Sequence, residues 1–198
     1  MRQVSVILFV LLFTACAIND TNYRYLTKKQ RPHFVPFNPE TFDQKVSNKP
    51  DSFFVQEITP QQLRSLIGRH RYTCIHLWAT WCSAESCTNL NYYEDLELKY
   101  MLYDLKIINI AIAYDYLEIN HILENTDYHS QLYVLKYQPR YGYKIGRTMD
   151  MFTVEFTGYT TLYRKRYTYF LFKDTTLIYS GNFCNQNVLD SIFKNQRQ

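Results

Sequence analysis

Charge of one sign is what this chain most lacks. Lysine and arginine number 22 against 18 aspartates and glutamates, a formal net charge of +4 over 198 residues. So small an excess gives no hold on a polyanion, which sets nucleic acid aside as a partner. The basic residues Arg164-Lys165-Arg166, with Arg140, Lys144 and Arg147 among tyrosines, read instead as a solvated face. A long apolar run near the N-terminus is missing as well. Val4 to Phe13 is too short to span a bilayer as a mature helix, which excludes a membrane-spanning anchor there. Glycine is scarce, at five residues beside 19 tyrosines and 13 phenylalanines, a balance that carries no functional signal.

What is present at the N-terminus has a different meaning. Arg2 supplies a short positive region ahead of the apolar run, which ends at Phe13-Thr14-Ala15-Cys16. This ending resembles a relaxed bacterial lipobox, in which small residues precede the cysteine that receives lipid. The resemblance implies a signal peptide over residues 1–15 and a mature chain starting at Cys16, held on a membrane by its acyl chains. Ala17 follows, with no acidic residue of the kind that retains such proteins on an inner membrane, so the outer membrane, facing the periplasm, is the expected location. Residues 16–51 are polar and hold four of the six prolines, Pro32, Pro36, Pro39 and Pro50, and read as an extended tether. Residues 52–198 are long enough for one domain with a well-filled core.

Within that domain, apolar periodicity and turn residues mark the elements. A short strand over 52–58 leads to Thr59-Pro60, an N-cap followed by proline in the first helical turn, with Leu63, Leu66 and Ile67 on one face and Gly68 at the end. Tyr72 to Trp78 is apolar nearly throughout, as a central strand is. A helix follows from Cys82 to about Tyr103, then a second central strand from Leu105 to Tyr114. Glu118 to Glu124 reads as a helix and Leu132 to Leu135 as a strand. Ile145 to Phe156 fits a helix, although Thr153-Val154-Glu155-Phe156 is also strand-like. Tyr167 to Phe172 and Thr176 to Tyr179 form a hairpin turning at Lys173-Asp174-Thr175, and Asn185 to Phe193 closes the chain as a helix.

Chemistry points to Trp78-Ala79-Thr80-Trp81-Cys82. A buried strand delivers one cysteine to a helix N-terminus, where unpaired N–H groups and the helix dipole favour thiolate over thiol. A thiolate is the nucleophile of disulfide exchange. These five residues resemble the active-site segment of thioredoxin-like proteins, particularly periplasmic thiol-disulfide oxidoreductases, whose pattern reads Trp-Ala-x-Trp-Cys-x-x-Cys. The β-α-β-α-β opening and the closing hairpin and helix match the same fold. The resemblance implies an α/β thioredoxin-like fold, a central mixed sheet flanked by helices, here with an extended middle region.

The family's second cysteine is absent: its position holds Glu85, and the next cysteine is Cys87. Five residues along a regular helix separate Cα atoms by roughly 8.6 Å and turn the side chains about 140° apart. A disulfide needs Cα atoms within about 7 Å. Two arrangements stay open. Either Cys82 acts alone, or Ser83-Ala84-Glu85-Ser86 form an enlarged loop and Cys87 resolves what Cys82 attacks. One helical turn from Cys82, a Glu85 carboxylate would disfavour the thiolate, and it equally suits the helix N-terminus structurally.

Supporting residues follow from the resemblance. His76 occupies the place where thioredoxins carry a buried acidic group, and reads either as a proton relay or as a hydrogen-bonded core histidine. Trp81 belongs to the motif. Tyr167 stands where the family's cis-proline faces the cysteine, so the substrate groove is altered. Cys74 reads as a buried structural cysteine, and in an oxidising compartment Cys74, Cys82, Cys87 and Cys184 permit three full pairings. The five histidines, at 33, 70, 76, 121 and 129, all precede the hairpin, which argues against the late histidine of a copper-delivery protein, so neither metal nor cofactor is expected. The expected function is thiol-disulfide exchange on exported protein thiols. The alternative is a redox-inactive module that binds an envelope protein.

Overall fold

The computed structural model describes residues 27–44, 54–80, 89–142, 144–182 and 184–194. The motif residues Trp81, Cys82, Glu85 and Cys87, and the lipobox cysteine Cys16, lie outside them. Among the described residues seven strands form one mixed sheet: β1 (Val35–Pro36), β2 (Gln56–Ile58), β3 (Tyr72–Trp78), β4 (Leu105–Ala111), β5 (Tyr133–Leu135), β6 (Tyr169–Lys173) and β7 (Thr176–Gly181). Their order is β1-β2-β5-β4-β3-β6-β7, with the first five parallel and β6 and β7 each antiparallel to its neighbour.

Among the described residues the two faces are covered by α1 (Pro60–Leu66), α2 (Asn91–Lys99), α3 (Tyr116–Glu124), α4 (Ile145–Thr157) and α5 (Gln186–Lys194). The opening β2-α1-β3-α2-β4 and the closing β6-β7-α5 are those of a thioredoxin-like fold, and α3-β5-α4 is the extended middle. Strand alternation sorts β3 between two cores. Tyr72, Cys74 and Trp78 join Tyr93, Leu96, Leu189 and Phe193 beneath α2 and α5. Ile75 and Leu77 join Leu63, Leu66, Phe152 and Phe156 beneath α1 and α4. Fully burying a side chain of this size stabilises by about 1.5–3 kcal/mol, so β3, buried at every position, anchors both layers.

Local chemistry explains the element ends. Thr59 Oγ1 accepts the Gln62 N–H at 3.2 Å while Gln62 Oε1 accepts the Thr59 N–H at 2.9 Å, a capping box that fixes the start of α1. The ambiguous stretch 145–156 is helical, because Met149, Phe152 and Phe156 bury one helical face and Gly158, at φ 78°, ends the helix in the left-handed region.

Residues 27–44, inside the stretch read as an extended tether, carry structure of their own. β1 pairs with β2, Phe34 and Phe42 are buried, and Arg31 Nε donates to Glu57 Oε1 at 2.8 Å. The sequence conceals this because the segment's two buried aromatics are separated by polar residues and prolines, with no periodicity of their own. His70 completes the clasp. Its Nε2 meets Asp43 Oδ1 at 2.9 Å and its Nδ1 meets Asp104 Oδ1 at 2.7 Å, with Phe42 packed edge-on against the ring.

Burial pulls the His70 pKa down, but the hydrogen bonds to Asp104 and Asp43 outweigh it and hold the pKa above the ordinary 6.5. A raised histidine contributes stability that is fully present below 6.5 and lost as pH rises through the folded value. The parent is therefore expected to melt a few degrees above His70→Gln at about pH 6, with the gap closing by about pH 9. A gap of equal size at both pH values would contradict a charged His70 bridge.

Candidate functional site

The candidate site stands at the C-terminal end of β3, the edge at which parallel strands of an α/β sheet present their loops. The main-chain ladder holds to that edge, since Ile112 N–H donates to Trp78 O at 2.9 Å. Beyond it, Trp78 and Thr80 are buried, and neither the Trp78 Nε1 nor the Thr80 hydroxyl has a hydrogen-bond partner among the described residues. The chain then enters 81–88, outside the described residues. What the structure describes is the polar cluster around His76 on β3, the strand that leads into this segment.

His76 is the centre of that cluster, at 3% exposure. Its ring lies flat on Tyr169, with centroids 4.4 Å apart and planes 1° from parallel, and it touches Tyr93 at 4.5 Å. The hydroxyls of Tyr93 and Tyr169 are hydrogen-bonded to each other. On the other side His76 Nδ1 is 2.8 Å from Asn109 Oδ1, and Asn109 Nδ2 donates to the Tyr128 hydroxyl at 3.0 Å. A carboxamide oxygen only accepts, so Nδ1 carries the proton and Nε2 is left as the acceptor nitrogen.

Electrostatically the cluster is neutral. Burial lowers the His76 pKa to about 4, against a smaller opposing effect of the Asn109 hydrogen bond. Burial likewise pushes the Tyr169 hydroxyl up to about 12 and those of Tyr93 and Tyr128 higher still. At neutral pH this arrangement carries no fixed charge. It supplies a rigid aromatic seat and one neutral imidazole. Both readings of His76 from sequence share these contacts. Nδ1 is satisfied by Asn109, and Nε2 is the acceptor nitrogen of the ring.

Asn109, Tyr128, Tyr93 and Tyr169 were not legible as members of the site. One signal existed: Asn109 is the lone polar residue in Ile107-Ile108-Asn109-Ile110, and the register places it directly opposite His76. Tyr167, expected in the cis-proline position, is half-buried against the second core. Its neighbour Thr168 accepts the Leu77 N–H at 2.7 Å, which brings 167–168 alongside the end of β3. The preceding Arg164 and Arg166 sit at φ 62° and 52°, in the left-handed region that favours glycine, so this turn is bent sharply before β6. A cleft lined by Asp43, His70, Glu94, Leu98, Met101 and Asp104 opens at the opposite end of β3 and belongs to the clasp. Among the described residues no three His, Cys, Asp or Glu side chains converge as metal ligands.

No family model matches the chain, and no curated protein does. Solved structures do. The thioredoxin domain of a thiol-disulfide oxidoreductase from Bacteroides vulgatus is similar at 10% identity and a TM-score of 0.44, over 67% of this chain and 83% of that one. A thioredoxin-like protein from Aeropyrum pernix is similar at 15% identity and a TM-score of 0.42, over 76% and 88%. These are likenesses of fold at low overlap. The architecture rests on the sheet order and connections described above.

The depressed His76 pKa has a measurable consequence. A buried neutral histidine contributes stability that is present above 6.5 and lost as pH falls towards the folded value of about 4. Across that window the parent is expected to lose on the order of 3 kcal/mol more than His76→Gln does, measured by denaturant unfolding. Identical pH slopes in the two proteins would contradict a neutral, buried His76.

Proposed function

We propose that this chain is a thioredoxin-like envelope lipoprotein that carries out thiol-disulfide exchange on exported proteins, with Cys82 as the attacking thiol. The observation that carries the reading is Trp78-Ala79-Thr80-Trp81-Cys82 following directly on the central strand β3 of a thioredoxin-like sheet. The neighbouring solved structures that bear thiol-disulfide names are consistent with it. The cluster around His76, on the strand that leads into the motif, holds no carboxylate among its described members. Glu85 is then the acidic group nearest Cys82 along the chain.

In this reading Cys82 attacks a substrate disulfide and forms a mixed disulfide, releasing one substrate thiol. A second thiol must then attack the mixed disulfide to release the rest. If Ser83 to Ser86 form a loop, Cys87 does this. If they are helical, a thiol from outside the chain does. Glu85 and the Tyr167 turn favour a narrower role, a binding module for an envelope partner without redox turnover.

Insulin reduction by the reduced chain separates these. Turnover is expected to be slow and to vanish in Cys82→Ser. With a Cys87 resolving thiol, Cys87→Ser accumulates mixed disulfides that the parent clears. With Cys82 alone, Cys87→Ser changes nothing and the parent itself holds stable mixed disulfides. Fast turnover that requires Cys82 only would contradict both forms, and an unreactive Cys82 would leave the binding module.

The location proposed is the outer membrane, facing the periplasm of a Gram-negative bacterium, through acylation at Cys16. Metabolic labelling with a fatty acid is expected to mark the parent and not Cys16→Ser, which should remain unprocessed or soluble. Equal labelling of the two would remove the anchor.

A further inference from the structure

Cys74 and Cys184 are 110 residues apart in sequence, yet their sulfurs lie 3.4 Å apart in the core. Both side chains are buried, at 1% and 4% exposure. Cys74 is on β3, on the face that carries His76 and Trp78, and Cys184 stands two residues before α5. Neither backbone is loosely placed. β3 is paired on both sides, with Cys74 opposite Ile107 and Leu171. The start of α5 is held by Gln186 N–H donating to the Tyr92 hydroxyl at 3.2 Å and by the Tyr100 hydroxyl donating to Asp190 Oδ1 at 2.8 Å. Leu189 and Phe193 then bury α5 against the same core. A disulfide bond is about 2.05 Å long, so closure needs the sulfurs to approach by roughly 1.4 Å, a displacement within reach of small side-chain rotations.

We propose that Cys74 and Cys184 form a structural disulfide that staples the C-terminal helix to the central strand, separate from the cysteines of the Cys82 segment. The bond forms by exchange with a disulfide donor, a protein or small-molecule disulfide. One cysteine thiolate attacks the donor, forming a mixed disulfide and expelling one donor thiolate. The second cysteine thiolate attacks the mixed disulfide at the protein sulfur and expels the other. Two electrons pass to the donor, and the two cysteine protons end on its two thiols.

The core decides when this happens. In the closed domain the contact with Cys184 and then burial push the Cys74 thiol well above its ordinary range, so the nucleophilic thiolate is scarce. Exchange therefore precedes the docking of α5, and once α5 has docked the bond is shielded from reductants. Of the four cysteines after Cys16, only Cys82 and Cys87 then remain for exchange. The staple itself does not depend on whether Cys82 is reactive.

The test is a disulfide map of the full chain, refolded from the reduced state in a glutathione redox buffer, alkylated in denaturant and digested. The expected product is a peptide pair joining Cys74 to Cys184, present in the parent and in Cys82→Ser and Cys87→Ser. Both cysteines recovered alkylated, or Cys74 joined to Cys82 or Cys87, would overturn the proposal. This result is read on the parent, so it stands even where Cys184→Ser fails to fold. A second measurement tests the shielding: excess dithiothreitol should open the bond in denaturant and leave it closed in the native protein. Equal rates in the two conditions would overturn it. Closing so long a loop is also expected to raise the melting temperature by on the order of 10 °C over the reduced chain.

Discussion

Strand β3 is the constraint on which the rest depends. It is hydrogen-bonded to β4 on one side and β6 on the other, and each of its seven residues is buried. A strand in that position cannot slip by one residue without exchanging its two faces, which would drive His76 and Cys74 into the core of α1 and α4. Its register therefore sets four things at once. It stacks His76 on Tyr169, sets His76 opposite Asn109, brings Cys74 to Cys184, and fixes where Trp78 hands the chain to the motif.

A polar group placed so deep must be satisfied, and the pattern of satisfaction gives the site its character. Asn109 answers one imidazole nitrogen, Tyr128 answers Asn109, and the two tyrosines on the other side answer each other. Every member of this network is neutral at physiological pH.

Much of the fold was legible in the sequence because its central strands are continuous apolar runs with sharp ends. The apolar run Tyr72–Trp78 has the bounds of β3, and α1 begins at the Thr59-Pro60 cap. The stretch 145–156 stayed ambiguous because Thr153 and Val154 are β-branched, and only packing against α1 decides for a helix. The clasp over 27–44 was hidden because Phe34 and Phe42 gain their burial from residues far along the chain. Of the site, His76 was legible by its place on β3. Asn109 and Tyr128 required the register between two strands, and the approach of Cys184 to Cys74 required the docking of α5. None of these is written in local spacing.

The central claim is that Cys82 is the thiol that attacks disulfides. The most direct measurement is exposure of the reduced, folded chain to glutathione disulfide at neutral pH, followed by acid quench and peptide mapping. The expected result is rapid oxidation at Cys82, as a glutathione adduct or as a bond to Cys87. The contradicting result is a Cys82 that remains a free thiol while the same thiol in the unfolded chain reacts.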